Sequence, residues 1–573
     1  LATHDQYKRL LVDCKNKENG MKFLTRNVAW WLVLAPLSAA SAQQVDSSAT
    51  NRHGSSLGLV GVPAAMPRVA NVSSPNALSP ELIETIAAQG SIPLENPTAT
   101  ISHYGFHADG ALVPSYGDVQ SATHNVEATK SEPDKNTYLV LSNQKGSDPR
   151  YDYGTHFMFQ GHELGLGYIT RINLDADLAH RVTLMAVADV NAVALPPIDG
   201  STWDPFAKRL VFSSEGSATT GGLWQATLDV PSQVQDISGA VGRGGYEGIQ
   251  NDPTGNLWIV EDSGGVKGAS INKNAKQPNS FIYRFVPKSP SDLTKGKLQA
   301  LQVLSKGTGQ PITFHAGQAD ADITSQDTAD MRAYGNALDT TWVTLHDTDV
   351  DGTTPYDANA LAKAKSATPF KRPENGQFRP GTDFKEFYFD ETGDTDARTE
   401  AGSALGGFGS IFKLRQSGGP AANSGKLSIV YQGDLVHSSF DNCAFWDKDH
   451  VVFVEDAGDT LHGQRNALDS AWLFDLTVDY SNPKNQPLRL VAEGRDTAAT
   501  IDTLIAGQPG FQNEGDNEIT GFHVSNGDPS ANGLLGASQP HPFKNGWRVF
   551  YTQQHGENFT WEILANQGSN YDD

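Results

Sequence analysis

From Tyr138 to about Ile563 the chain is a succession of short apolar runs in which apolar and polar positions tend to alternate. The runs are Val182–Val187, Leu210–Ser213, Leu257–Val260, Phe281–Phe285, Trp342–Leu345, Lys385–Phe389, Ile411–Leu414, Val451–Val454 and Val549–Thr552. Gly, Pro, Asn and Asp punctuate them, as expected of strands joined by tight turns. Helix-period segments are few; Asp357–Lys365 and Pro80–Gln89 are the two that qualify. The chain has 573 residues, more than one core of roughly 250–300 residues accommodates. Either several domains or one repeated unit that closes on itself resolves that conflict.

A weak repeat supplies the unit. Tyr246-Glu247-Gly248-Ile249 is followed by a Gly255-Asn256 turn, Leu257–Val260 and Glu261-Asp262. Phe440-Asp441-Asn442-Cys443 is followed by a Lys448-Asp449 turn, Val451–Val454 and Glu455-Asp456. Glu247 and Asp262 stand 15 positions apart, and so do Asp441 and Asp456. Looser copies run from Asp199 to Glu215 and from Glu518 to His555. Each unit is acid, strand, turn, strand, acid or imidazole. A hairpin brings both of its strand ends together opposite its turn, so the two acids share one end. Repeated around a ring, those ends converge on one mouth of a central channel. The predicted fold is all-β: a β-propeller, six-bladed, with inserted loops and short helices.

Composition changes the picture in two places. The formal net charge is −23, which repels phosphate backbones and argues against nucleic acid as a partner. Clustered carboxylates call for hard divalent cations, Ca²⁺ or Mg²⁺. At the N-terminus, Met21 and Lys22 precede an apolar run, Val28–Leu37, and a small-residue Ala40-Ser41-Ala42 pattern. That reads as a secretory leader, and the run is too short for a span of ~20 residues. The expected division is 1–20 as non-native upstream translation, 21–42 as leader, 43–135 as an N-terminal arm or linker and 136–573 as the propeller. Export to the periplasm or the medium follows, with a monomer and a small-molecule substrate expected. Of the two cysteines, Cys14 and Cys443, only Cys443 belongs to the mature chain. It is read as a small buried apolar group, with a thiolate metal ligand as the alternative because it follows Asp441-Asn442.

Six stretches, in order, resemble the PhoX-type alkaline phosphatase family. They are YEGIQNDPTGNLWIVEDSGG, NSFIYRFVP, FKRPENG, FDNCAFWDKDHVVFVEDAG, EITGFHVSNGD and FYTQQHGEN. The similarity spans roughly Tyr138 to Ile563. It implies a six-bladed propeller that hydrolyses phosphate monoesters with calcium together with iron. Carried over by position, it implies metal ligation by Glu247, Glu374, Asp441, Asp262, Asp456 and Glu518. Glu215 matches the second acid of a paired-acid motif whose first acid is Ser214 here, and Glu163 follows His162 as in an early His-Glu motif. Arg372 is implied as the phosphate contact. One departure stands out: the family's cysteine ligand to iron has no counterpart in Val193–Asp204. The expected cofactor set is therefore several Ca²⁺, with Fe³⁺ in doubt and an all-oxygen site as the variant.

The residue types suit that chemistry by themselves. Phosphoryl transfer needs charge neutralised on the equatorial oxygens, and an arginine fork fits phosphate bidentately. The rival readings are a calcium-dependent propeller lactonase or esterase, and a binding propeller with structural calcium. Asp347-Thr348-Asp349-Val350-Asp351-Gly352 resembles the start of a calcium loop but has Ala358 at its twelfth position, which argues against an EF-hand. Gly402–Gly409 lacks the lysine of a phosphate-binding loop, and no G-x-S-x-G elbow occurs.

Overall fold

The computed structural model describes residues 51–52, 57–110, 112, 128–499 and 515–567. The leader, Cys14 and residues 1–20 lie outside the described residues. Every apolar run named above falls in a strand to within one residue at either end. Six four-stranded antiparallel meanders succeed one another. Their first strands are Pro133–Val140, Ser201–Asp204, Tyr246–Asn251, Gly376–Phe378, Phe440–Phe445 and Glu518–Ser525. These six strands touch in that order, and the last touches the first, so the ring is closed. The fold is a β-propeller.

The ring is not built from six separate sheets. Three meanders stand alone as four-stranded sheets, and the fifth gains Ala77–Leu78 as an extra strand. The third and fourth are merged into one nine-stranded sheet. Leu338–Asp347 is the cause. It pairs with Asp292–Val303 of the third meander and with Ser424–Gln432 of the fourth, covering two outer edges that would otherwise present unpaired backbone groups.

Pro80–Gln89 is not a helix. Leu82–Ala88 is the outer strand of the sixth meander, antiparallel to Phe559–Ala565, with Ile86 opposite Trp561. The outer edge of Phe559–Ala565 offers a ladder of donors and acceptors, and that pairing overrides a short helical period. The expected arm thus contributes strands to the fifth and sixth meanders, and an N-terminal segment fastens the C-terminal one. Asp357–Lys365 is helical as its pattern indicates: Ala358–Ala364, capped by the Asp357 side chain on the Ala360 N–H at 2.8 Å.

Apolar residues from neighbouring meanders interdigitate between the sheets. Trp258, Phe378 and Phe387 pack together between the third and fourth. Such packing leaves the inner strand ends rigid, which is what a ring of functional side chains needs.

Candidate metal and phosphate site

One backbone device recurs at the channel mouth. In four meanders, the residue that follows the second strand donates its N–H to a carbonyl two positions before the opening acid. The pairs are Glu163 to Glu132 (3.1 Å), Asp262 to Gly245 (2.8 Å), Thr392 to Arg372 (2.7 Å) and Asp456 to Ser439 (2.8 Å). In three meanders a β-bulge follows at once, between Pro133 and Asn136, Tyr246 and Ile249, and Phe440 and Cys443. A bulge re-aims side chains. Here it holds Asp134, Glu247 and Asp441 at the cavity.

The cavity has a volume of about 300 Å³ and is lined by ten carboxylates and one arginine. The acids are Glu132, Asp134, Glu163, Asp199, Glu215, Glu247, Glu374, Asp441, Asp456 and Glu518; the arginine is Arg372. Two groups present ligand oxygens all inside 4.8 Å of one another: Glu215, Glu247 and Glu374 with the adjoining Asp262, and Asp134, Glu163 and Asp199. All nine residues singled out in the sequence therefore meet at one site. Glu132, Asp134 and Asp199 were not among them. Asp199 opens one of the looser repeat copies, which was the available signal. Asp134 opens the first meander, but the hairpin to Glu163 is longer than the 15-residue frame and hides the match.

Burial and mutual repulsion govern the charge state. Desolvation first, and neighbouring carboxylates second, push Glu163, Asp199, Glu247, Asp441 and Glu518 well above the usual carboxylate range, while Glu215 stands at the exposed rim. Glu374 is pushed up to about 7 by burial and by Asp262, with Arg372 opposing. Two buried oxygens in the cavity wall, Glu247 Oε2 and Asp199 Oδ1, have no hydrogen-bond partner. Buried acceptors without donors are costly, and a divalent cation is the partner such oxygens fit. The supporting contacts are dense. Thr520 Oγ1 donates to Asp134 Oδ1 at 2.7 Å, Asn375 Nδ2 to Glu247 Oε1 at 3.1 Å, and Asn442 Nδ2 to Asp441 at 2.9 Å. The Thr392 hydroxyl meets Glu374 Oε1. His555 Nε2 lies 2.8 Å from Glu518 Oε2.

Arg372 sits in the left-handed region, φ 54°, an uncommon backbone state for a side-chain-bearing residue. Its Nε and one terminal nitrogen donate to Asp262, and the same terminal nitrogen lies 3.2 Å from Glu374 Oε1. No hydrogen bond occupies the other terminal nitrogen among the described residues.

Other sequence candidates fall elsewhere. Cys443 is 3% exposed in a core cluster with Phe440, Phe453 and Trp472, and burial holds its thiol protonated. It belongs to neither carboxylate group. The acids of the 347–352 turn pair with lysines, Asp347 with Lys297 and Asp349 with Lys288.

These features define a propeller with an acid-lined mouth. Residues 271–525 match the family model described as alkaline phosphatase PhoX. The solved structure of Pseudomonas fluorescens PhoX in complex with vanadate, a transition state analogue, shares the fold, with TM-score 0.50 and 10% identity over 89% of this chain and 99% of that one. Over residues 271–525 the chain is thus similar to the PhoX-type alkaline phosphatases. Weaker likenesses include α-L-arabinofuranosidases from Fusarium graminearum and Podospora anserina. The first has TM-score 0.31 and 11% identity, covering 62% of this chain and 84% of that one. The second has TM-score 0.28 and 8% identity, covering 80% and 95%. No curated protein matches the sequence significantly. Among the described residues no helix is long and apolar enough to cross a membrane.

Proposed function

We propose that the chain is an exported phosphomonoesterase that works with calcium ions held in the acid-lined mouth. One observation carries the reading: ten carboxylates and a single arginine surround a cavity of about 300 Å³ in which buried oxygens of Glu247 and Asp199 have no donor. In this reading Glu215, Glu247, Asp262 and Glu374 hold one ion and Asp134, Glu163 and Asp199 another. Asp441, Asp456 and Glu518 complete the wall.

The donor set is all oxygen, which suits Ca²⁺. It lacks the cysteine that the family resemblance gives to iron: no thiolate reaches the cavity among the described residues, and Cys443 is buried in apolar core. No step is assigned to iron. Bound divalent ions would supply Lewis acidity and a water nucleophile of lowered pKa. The chain's own part is to bind and orient. The free edge of the Arg372 guanidinium receives phosphate oxygens, while its grip on Asp262 fixes the plane of the fork. Arg372 favours a phosphate ester over a lactone, whose hydrolysis develops less negative charge at that position. The substrate is a small phosphate monoester, the working species a monomer, and no nucleic acid takes part.

The test combines metal analysis of the purified protein with p-nitrophenyl phosphate hydrolysis, before and after EDTA, and after added Ca²⁺. Calcium bound, with activity lost on chelation and restored by calcium, is expected. Calcium bound without hydrolysis of any phosphate ester overturns the enzyme reading in favour of a binding propeller.

A further inference from the structure

Directly behind the acid wall lies a buried cation that no metal-binding or phosphate-binding role accounts for. Asp134 lines the large cavity, and its neighbour Lys135 lines a second, small one of about 40 Å³. Lys135 is 2% exposed. Its ammonium donates at 2.6 Å to Asn375 Oδ1, a neutral amide, in a region crowded with carboxylates. A buried ammonium usually takes a carboxylate partner, so this choice of partner calls for an explanation.

Hydrogen-bond chemistry gives one. An ammonium can only donate, so the face of Asn375 toward Lys135 must be its oxygen. The amide nitrogen then faces the other way, and it donates to Glu247 Oε1 at 3.1 Å. Glu247 has one oxygen engaged and the other, Oε2, buried without a partner. The relay is clamped at its middle. The Asn375 N–H donates to Asp390 Oδ1 at 2.9 Å. Gly248 lets Asn375 and Glu374 approach: a Cβ there would lie 2.7 Å from Asn375 Oδ1 and from the Glu374 carbonyl oxygen.

We propose that Lys135 is a positioning residue: through Asn375 it fixes Glu247 with Oε1 held and Oε2 presented to a divalent cation. The proposal rests on the metal reading of the site. Without Lys135 the amide is free to turn over, and its oxygen then faces a carboxylate. Lys135 also places a positive charge behind the wall, which on its own opposes cation binding. The two effects have opposite signs, and a double-mutant cycle separates them.

Calcium affinity of the EDTA-stripped full chain is measured by titration calorimetry for wild type, Lys135→Met, Asn375→Leu and the double variant. Partners that orient a metal ligand are worth about 10–100-fold in affinity. Asn375→Leu, which changes no charge, is expected to weaken binding by about that factor. The effect of Lys135→Met is expected to be at least about 10-fold less favourable in the wild-type background than in Asn375→Leu, where only the charge remains. Equal effects in both backgrounds overturn the relay while leaving the metal site standing. Absence of calcium binding by wild type overturns the site reading and the relay with it. Should Lys135→Met fail to fold, Lys135→Arg is compared with Lys135→Gln. Arginine is donor-only and should keep wild-type affinity, whereas a glutamine carbonyl lets Asn375 turn and should weaken it. Because the two also differ in charge, their affinity ratio is compared in the wild-type and Asn375→Leu backgrounds, and equal ratios in both overturn the proposal.

Discussion

Arg372 lies across Asp262, its Nε and one terminal nitrogen donating to the same carboxylate oxygen at 2.9 and 2.6 Å. The arginine therefore acts as a counter-cation in a crowded acid ring while one of its terminal nitrogens takes no hydrogen bond among the described residues. Its backbone explains the reach. Arg372 stands where Glu132, Gly245 and Ser439 stand in other meanders, with its carbonyl taking the same closing N–H bond.

Arg372→Lys keeps the charge and loses the planar fork. A lysine can neutralise Asp262 but cannot hold it and a phosphate in one plane. The expected outcome is a KM for p-nitrophenyl phosphate raised by about 10-fold or more, equivalent to roughly 1.4 kcal/mol, with metal content by elemental analysis unchanged. Loss of metal in this variant would show that Arg372 is structural glue and not a substrate contact.

Glu247→Gln removes one charge from the oxygen-rich group formed with Glu215, Asp262 and Glu374. Residues that only support ligands are worth 10–100-fold, so a ligand should be worth more. Metal content and activity are expected to fall together, kcat/KM by more than about 100-fold. Activity that survives with metal lost would place the chemistry elsewhere.

How much of this was legible in the sequence depends on what each residue's neighbours in the chain reveal. The strands were legible because apolar alternation is local, and the propeller because Glu247–Asp262 and Asp441–Asp456 repeat one frame. Glu374 and Arg372 sit in a meander whose closing residue is Thr392, so their frame lacks its second acid, and only the family resemblance found them. Asp134 was lost to a longer hairpin. Leu82–Ala88 was misread because its strand partner, Phe559–Ala565, comes from the far end of the chain, and no local period encodes such a pairing. The Lys135–Asn375–Glu247 relay was invisible for the same reason: its members meet only when the ring closes.

The acid ring predicts how the metal-free protein responds to pH. Glu374 titrates near 7 in the fold, against 4.5 for an ordinary glutamate. An acid whose folded pKa is raised is better tolerated protonated. Its folded-state advantage is full below about pH 4.5 and is lost as pH rises through about 7. EDTA-treated protein should therefore melt at a lower temperature at pH 8 than at pH 5.5. Saturating Ca²⁺ should remove most of that difference, since a ligand at a hundredfold excess over Kd adds about 2.7 kcal/mol. A calorimetric melting temperature independent of pH and of calcium would mean that the carboxylates do not share one site.

His462 gives a pH signature of the opposite origin, away from the cavity. It lies in the helix Gly458–Arg465, with Nε2 2.9 Å from Asp469 Oδ1 and Nδ1 3.3 Å from Asp516 Oδ2. His462, Asp459 and Asp516 have the spacing of a metal site, but the charges argue otherwise. Asp516 already takes Arg68 at 2.7 Å and Arg495 at 2.5 Å. Burial alone would lower the histidine's pKa, yet Asp469 and Asp516 outweigh it and raise it to about 9. The group is thus an imidazolium held between carboxylates, tying the fifth meander to Arg68 of the N-terminal segment. A raised folded-state pKa contributes stability that is complete below the unfolded value near 6.5 and disappears as pH rises through about 9. His462→Gln keeps the size and a donor but loses the charge. With calcium present, it should cost on the order of 3 kcal/mol at pH 6 and much less at pH 10. Denaturant melts of wild type and variant at the two pH values check this. A destabilisation equal at both would assign His462 a packing role, and zinc bound at this cluster with a rise in stability would replace the ion-pair account with a metal site.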